Sequence, residues 1–245
     1  MLTLVSIGLL SLAWNIQSVR ALATSNIVVT TYTDNRVLKL DSDANVIWNI
    51  DIGLVATDAA VNPNDGTIYV ISSDCVHANL TKLDSNGNML WNKDISFMCL
   101  PGSGGPCTVD VDPRDGSAYV VAAGGSFGVH KYNSMGSLLW SRIVNFQSVA
   151  VNPTDGTVYV NDCFEGVFKY DSNGNLIWQS AIYGTAGYGS ESIKVNPFDG
   201  STVACYRDWA PVVKLDTDGQ LVWETDTGAD LSAVAIDPYR NAVYL

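Results

Sequence analysis

Charged residues are scarce in this sequence, and basic residues are the scarcer kind. Only 16% of the 245 residues are charged, and 13 Lys and Arg against 25 Asp and Glu give a formal net charge of −12. Most of such a surface repels a phosphate backbone, so the composition disfavours nucleic-acid binding. Because 47% of the residues are hydrophobic, the chain is a folded globular protein and not a disordered one.

Hydrophobic runs long enough to cross a membrane are also lacking. A mostly apolar stretch extends from Leu2 to Trp14, which is too short to span a bilayer comfortably, so we do not expect an integral membrane protein. Ala21-Leu22-Ala23 follows with the small-residue spacing of a signal-peptidase site. We therefore expect residues 1–23 to be a signal peptide and the protein to be extracytoplasmic, in the periplasm, at the cell surface or secreted.

One feature departs from that interpretation, since no Lys or Arg precedes the apolar stretch. The alternative is that Leu9 to Trp14 is a strand of a further repeat.

No stretch shows an uninterrupted helical period, and two short motifs alternate along the chain instead. The first motif is Lys, an apolar residue, Asp or once Asn, a polar turn, two apolar residues and Trp. It occupies residues 39–48, 82–91, 131–140, 169–178 and 214–223. The second motif is an apolar residue followed by Asn/Asp-Pro-x-Asp-Gly-x-x-Tyr-Val. It occupies residues 61–70, 111–120 and 151–160, and recurs in altered form at 195–204 and 236–245. Such a period is typical of repeat architectures.

Each repeat contains four short segments rich in β-branched and aromatic residues, separated by Asp-Gly or Asn-Gly turns. Four antiparallel strands in each 40 to 45 residues are typical of a propeller blade. The sequence therefore predicts an all-β propeller of about five blades over residues 24–245. Its repeated tryptophans are expected to be largely buried between neighbouring blades: Trp48, Trp91, Trp140, Trp178 and Trp223.

The number of blades stays open at this point. The chain is either a fragment of a six- to eight-bladed ring or a five-bladed ring with one displaced terminal strand.

A family resemblance follows from the two motifs. Lys-Tyr-Asp-Ser-Asn-Gly-Asn-Leu-Ile-Trp at 169–178, with the motif at 151–160, resembles the bacterial and archaeal β-propeller repeat proteins. It is similar to the tryptophan-docking repeats of the pyrroloquinoline-quinone-like propellers, over about residues 26–245. That resemblance implies the fold, while its members include periplasmic scaffolds, cell-surface domains and quinoprotein dehydrogenases. The family's enzymes use an adjacent Cys-Cys pair and a calcium site, and this sequence has no such pair, so we expect no cofactor.

Motifs for metal binding or catalysis are weak. Turns such as Asp84 to Asn88 resemble the start of a calcium-binding loop, but Gly stands fourth and not sixth, so hairpin turns are expected. His130 precedes a repeat lysine in a strand and is expected to pack there. His77, near Asp74, is a weak candidate for a ligand or a base. We expect neither a catalytic residue nor a metal site, and we expect the repeated lysines to pair with turn aspartates.

The irregular segments are the candidate binding region, because the regular hairpin turns all lie at the other end of the ring. The candidate residues there are Asp74, His77, Phe97, Asp162, Phe164, Tyr183, Tyr188, Tyr206, Arg207, Asp208 and Trp209. Their aromatic content favours binding of a protein or carbohydrate partner. The sequence thus predicts a non-enzymatic binding or scaffolding module, and the alternative is a propeller enzyme of the quinoprotein-dehydrogenase or lyase type.

All five cysteines fall in or beside these irregular segments: Cys75, Cys99, Cys107, Cys163 and Cys205. Cys99 and Cys107 bracket a segment rich in Pro and Gly that can fold back, so we expect a disulfide between them in an exported protein. The alternative is five free thiols in a cytosolic protein. Since five is odd, at least one thiol stays free or pairs with another chain.

Overall fold

A computed structural model describes most of the chain. The described residues are 16–21, 27–31, 34–74, 77–95, 107–122, 128–143, 146–162, 165–180, 190–206, 211–228, 231 and 233–245. Within these ranges the chain forms 22 β-strands and no helix. The described residues thus include no helix of the length and apolar character that a membrane-spanning helix requires.

Five four-stranded antiparallel sheets, here blades A to E, follow one another along the chain. Blade A contains β1 (Ile16–Ala21), β2 (Ile27–Thr31), β3 (Arg36–Leu40) and β4 (Val46–Asp51). Blade B contains β5 (Val55–Val61), β6 (Ile68–Ser73), β7 (Ala78–Leu83) and β8 (Met89–Asp94). Blade C contains β9 (Thr108–Asp112), β10 (Ser117–Ala122), β11 (Gly128–Tyr132) and β12 (Leu138–Arg142).

The remaining blades repeat this order. Blade D contains β13 (Phe146–Val151), β14 (Val158–Asp162), β15 (Gly166–Tyr170) and β16 (Leu176–Ser180). Blade E contains β17 (Ser190–Val195), β18 (Thr202–Tyr206), β19 (Val212–Leu215) and β20 (Leu221–Thr225). The two-stranded sheet of β21 (Ala235–Asp237) and β22 (Ala242–Tyr244) matches the first two strands of a blade and is called blade F.

The blades are arranged radially. The first strands of consecutive blades contact one another, from β1 through β5, β9, β13 and β17 to β21, so they surround the central axis. The fourth strands lie on the outside, where most of their side chains are exposed. The predicted all-β propeller of four-stranded antiparallel blades is confirmed.

Apolar clusters fill the spaces between successive blades. Between blades C and D, for example, Tyr119 and Val121 of β10 pack against Val149 of β13 and Val160 of β14. Alternating side chains of one sheet thus point towards the preceding blade and the following blade, as the twofold period of a strand requires. Hydrophobic burial between blades, worth about 25 cal/mol per Å² of apolar area, is therefore the main term that holds the ring together.

A repeated polar latch joins each blade to the next at the regular-turn end. In blade A, Lys39 Nζ and Trp48 Nε1 both donate to the carbonyl oxygen of Ser85 in blade B, at 2.9 and 3.2 Å. The same pairs recur as Lys82 and Trp91 on Ser134, Lys131 and Trp140 on Ser172, and Lys169 and Trp178 on Thr217. The latch explains why Lys and Trp repeat together in the sequence.

Two expectations about the latch need correction. The repeated lysines donate mainly to turn carbonyls of the next blade, although Lys131 also lies 3.4 Å from Asp115 Oδ2. The tryptophans lie between blades as predicted, but they are only half-buried, because the indole covers the outer edge of the next blade's turn. At Gly174, whose φ is +80°, an added Cβ would lie 2.8 Å from Trp140, so the indole packs directly on a glycine.

The first strand changes the predicted domain boundary. β1 pairs with β2 from Ile16 opposite Thr31 to Ala21 opposite Ile27, so residues 16–21 form the innermost strand of blade A. The propeller therefore begins before residue 24, because blade A needs this strand next to β2 and β5. Cleavage after Ala23 would remove β1, and the signal peptide stays a prediction. Leu9 to Trp14 lies outside the described residues.

Candidate binding site at the irregular-loop end

The two ends of the propeller differ. The turns between first and second strands and between third and fourth strands lie at one end, here the turn end. The turns between second and third strands and the links between blades lie at the opposite end, here the loop end. Four of the predicted binding residues at the loop end are described: Asp74, His77, Asp162 and Tyr206.

Asp74 and His77 close the β6–β7 turn of blade B. The backbone N–H of His77 donates to Asp74 Oδ1 at 2.6 Å, and the N–H of Asp74 donates to the His77 carbonyl at 2.9 Å. His77 Nδ1 lies 3.3 Å from Asp74 Oδ2, and the two side chains are 64% and 43% exposed. The two residues thus close the turn and are also accessible to solvent.

Blade D places two buried polar residues at the loop end of β14. Asn161 Oδ1 accepts hydrogen bonds from the Ser148 backbone N–H at 3.1 Å and from Ser148 Oγ at 2.7 Å. Asp162 Oδ1 accepts from the Glu165 N–H at 2.7 Å and thereby shapes the turn into β15. Buried polar groups of this kind are stabilising only when they are hydrogen-bonded, so this turn is held in a specific conformation.

Asn161 departs from the pattern of blades B, C and E, whereas blade A also has a buried polar residue, Thr30, at this position. Asn161 stands where blades B, C and E place the buried residues Ile71, Val121 and Cys205. Sequence analysis singled out Asp162 but missed Asn161 and its partner Ser148. An alignment of the repeats places Asn161 in the same column as Ile71, Val121 and Cys205, with Thr30 as the other polar residue of that column.

Tyr206 was predicted to contribute to a binding surface, but it lies in the core. It is 3% exposed and packs with Ile193 and Val213 in the cluster between blades D and E. Its ring therefore contributes to the core beneath the loop end and not to a surface.

The other predicted residues of this end lie outside the described residues: Cys99, Phe97, Phe164, Tyr183, Tyr188, Arg207, Asp208 and Trp209. Cys107 is disulfide-bonded, and Cys205 is buried. The partner of Cys107 lies outside the described residues, so its pairing with Cys99 stays a prediction.

The acidic turns at the opposite end adopt hairpins. Asp84 Oδ1 accepts from the N–H groups of Asn86 and Asn88, and Oδ2 accepts from Asn88 Nδ2 at 2.8 Å. The Asn88 side chain holds the pKa of Asp84 below its ordinary value. The carboxylate thus serves the turn itself, and the part of the chain that the structure describes contains no cluster of three or more side chains suited to a metal.

His130 packs inside blade C, in keeping with its position in the sequence. It is 1% exposed, and its Nδ1 lies 2.8 Å from Ser141 Oγ on the neighbouring strand.

Carboxylates on the innermost strands are a second feature that sequence analysis missed. Asp58 Oδ2 accepts from the Val109 N–H of the next blade at 3.0 Å, and Asp110 Oδ2 accepts from the Val151 N–H at 2.8 Å. These bonds provide an acceptor for one backbone N–H group of each neighbouring first strand. The two aspartates therefore join blades B, C and D around the axis.

Comparison with protein families gives one match over more than half of the chain. A family model described as outer membrane protein assembly factor BamB matches residues 10–162. No curated protein matches the chain in sequence.

Solved structures share the fold at low sequence identity. Hydrazine synthase of Kuenenia stuttgartiensis has a TM-score of 0.74 at 13% identity, covering 94% of this chain and 73% of that one. Virginiamycin B lyase from Staphylococcus aureus has a TM-score of 0.71 at 11% identity, covering 90% and 73%. A protein of unknown function from Bacteroides caccae has a TM-score of 0.64 at 16% identity, covering 89% and 85%. At these identities the likeness shows the fold alone.

Proposed function

We propose, because the chain belongs to the β-propeller family described as outer membrane protein assembly factor BamB, that it is a non-enzymatic extracytoplasmic scaffold that binds a protein partner. The binding surface is the loop end, centred on blades B and D. The observation that carries this proposal is the pair of buried, hydrogen-bonded residues Asn161 and Asp162 at the loop end, where blades B, C and E place Ile71, Val121 and Cys205 at the Asn161 position.

The two ends of the propeller use their polar side chains differently. The latch and the turn aspartates of the turn end use most of their polar groups for bonds within the propeller. At the loop end, by contrast, Asp74, His77 and Glu165 are exposed on turns held by hydrogen bonds. A rigid scaffold that presents pre-ordered polar groups loses little entropy on binding.

A further argument concerns the class of partner. An assembly factor acts by bringing proteins together, and the family's description refers to the outer membrane. An extracytoplasmic protein partner agrees with both, and with a disulfide at Cys107, since disulfides persist in oxidising compartments. A carbohydrate partner is the alternative for the aromatic loop residues.

Photo-crosslinking in the native host tests the proposal. A photoreactive phenylalanine analogue replaces His77 at the loop end or, as the matched control in the same blade, Asp65 at the turn end. We expect a discrete protein adduct from position 77 and little or none from position 65. Equal adducts from both positions, or adducts from position 65 alone, would contradict binding at the loop end.

The enzymatic alternative is tested on the purified protein. We expect the purified protein to show no quinone absorbance band and no lyase activity on virginiamycin B. Either signal, removed by His77→Ala, would replace the scaffold with an enzyme.

A further inference from the structure

The outermost strand of every complete blade carries two exposed apolar residues next to its tryptophan. They are Val46 and Ile47, Met89 and Leu90, Leu138 and Leu139, Leu176 and Ile177, and Leu221 and Val222, each 47–56% exposed. Both residues of a pair are exposed because a β-bulge interrupts the register at this point. In blade D, Tyr170 pairs with Leu176 and Lys169 with Trp178, so Ile177 is the extra residue.

Such outer strands need protection, since an edge strand offers unpaired backbone groups to another chain. Charged side chains are the usual protection, and four of the five outer strands carry them. These are Asp51 in β4, Lys93 and Asp94 in β8, Arg142 in β12 and Glu224 in β20. The sequence of β16 is Leu-Ile-Trp-Gln-Ser, with no charge.

Among the fourth strands of blades A to E, β16 is therefore the one without a charged side chain. Among the described strands, β15 pairs with the inner side of β16, and none pairs with its outer side. Its bulge is shared by all five blades, so the bulge does not distinguish it from the guarded strands. The absence of charge is specific to blade D, the same blade that carries the polar pair at the loop end.

The surroundings of β16 define the charge of an occupant. Asp171 lies in the turn before the strand, and hydrogen bonds from Asn175 hold the pKa of its carboxyl below its ordinary value. Glu165 is exposed at the other end, where its carbonyl accepts from Gln179 Nε2 at 3.2 Å. The nearby Arg142 guanidinium is engaged by the Gly174 carbonyl at 2.6 Å and by the Trp140 ring. Each end of the strand thus carries a carboxylate, and since Arg142 keeps its positive charge at the turn end, a basic occupant is favoured most strongly at the Glu165 end.

We propose that the free edge of β16 binds an extended segment of a partner protein as a fifth strand of blade D. The segment carries apolar side chains that cover Leu176 and Ile177, between basic residues that face Asp171 and Glu165. Backbone hydrogen bonds along the edge supply the attachment, and the two apolar residues and the two charges supply the selectivity. A second copy of this chain fits poorly, because its own β16 would bring acidic ends together on molecules of net charge −12.

This inference goes beyond the scaffold function, since it concerns the rim and not the loop end. It is tested with two synthetic nine-residue peptides that share a core of alternating Val and Thr. One has two lysines at each end, and the other has two glutamates at each end. Binding is measured by fluorescence anisotropy, and the binding strand is identified by hydrogen exchange of the full chain.

We expect the lysine peptide to bind at least tenfold more tightly than the glutamate peptide and to slow exchange at residues 176–180. Ile177→Lys, which adds a guard charge at an exposed position, should weaken binding at least tenfold. Leu90→Lys, the same change at the equivalent position of the already charged β8, should leave binding unchanged.

Several results would overturn the inference. They are protection spread equally over all outer strands, equal binding of both peptides, equal effects of the two variants, or protection of 176–180 by dimerisation of the chain alone in sedimentation velocity. The photo-crosslinks at position 77 are expected to persist in Ile177→Lys, so failure at the rim and failure at the loop end are distinguishable.

Discussion

The turn end and the loop end of blade D differ in how closely their residues follow the repeat. At the turn end, Asp171 and Gly174 repeat what blades B and E do at the same positions, and the neighbouring Trp140 and Lys131 dock onto this turn. At the loop end, Asn161 and Asp162 break the pattern of those blades. The comparison teaches that residues which repeat build the ring, whereas residues which depart from the repeat are available for a function.

The largest effect should come from removing a latch. In Trp140→Ala the indole contacts with Gly174 and the hydrogen bond to the Ser172 carbonyl are lost, so we expect a loss of about 3 kcal/mol in the free energy of unfolding. Urea unfolding measures it. The control is Leu139→Ala, one residue earlier but exposed, which should change stability by about 0.5 kcal/mol or less. Similar losses for both variants would remove the structural role of the repeated tryptophan.

A glycine pair separates the packing of the latch from backbone strain. Gly174 and Gly53 have φ of +80° and +81°, but an added Cβ would meet Trp140 at 2.8 Å only at Gly174. Gly53→Ala should cost about 1 kcal/mol from the left-handed backbone alone. Gly174→Ala should cost about 1–3 kcal/mol more from overpacking against the indole. Thermal unfolding of both variants checks the difference, and equal losses would show that the indole moves aside freely.

The polar pair at the loop end should be dispensable for stability. Asn161→Val installs the apolar residue type of blades B, C and E, and Ser148→Ala removes the hydroxyl that donates to Asn161. The free energy of unfolding of the double variant should therefore stay within about 1 kcal/mol of the wild type. Calorimetry and the yield of the photo-crosslink at position 77 are measured together. A large loss of stability with unchanged crosslinking would reverse the assignment of these residues to function.

The smallest effect concerns the acidic turns. Asp84 has a pKa below the ordinary 3.8 because of the Asn88 side chain, so its contribution to stability is present above that value and is lost as the pH falls through the lower folded pKa. Asn88→Ala should lower Tm slightly at pH 7, and the gap should narrow as the pH falls below 3.8. In Ser137→Ala, whose turn is built on the uncharged Asn133, any change in Tm should not depend on pH over this range. A gap that widens in acid would contradict the hydrogen-bond origin of the shift.

Repetition explains why the fold was predictable and the site largely was not. The spacing of Trp48, Trp91, Trp140, Trp178 and Trp223 predicted the blades, because each copy of a motif reports the same position in a sheet. The acceptor of each latch was missed, since it is a backbone carbonyl and carries no side-chain signature. The place of β1 was missed because a short apolar strand and the apolar part of a signal peptide have the same composition.

Each candidate site residue occurs in one blade only, so no equivalent residue in another repeat supports its interpretation. Asp162 was identified by its place at a loop, and its burial could not be read from the sequence. Tyr206 looked like a surface aromatic by the same argument, yet it fills the space between blades D and E.

The most direct test compares the two ends of blade D in one experiment. A photoreactive residue replaces Glu165 at the loop end or Asp155 at the turn end, in the wild type and in the Ser148→Ala, Asn161→Val background. The account predicts a protein adduct at least tenfold stronger from position 165 than from position 155, and its loss in the double-variant background while the protein stays folded. Equal adducts from the two ends, or an adduct at position 165 that is unaffected by the double substitution, would contradict it.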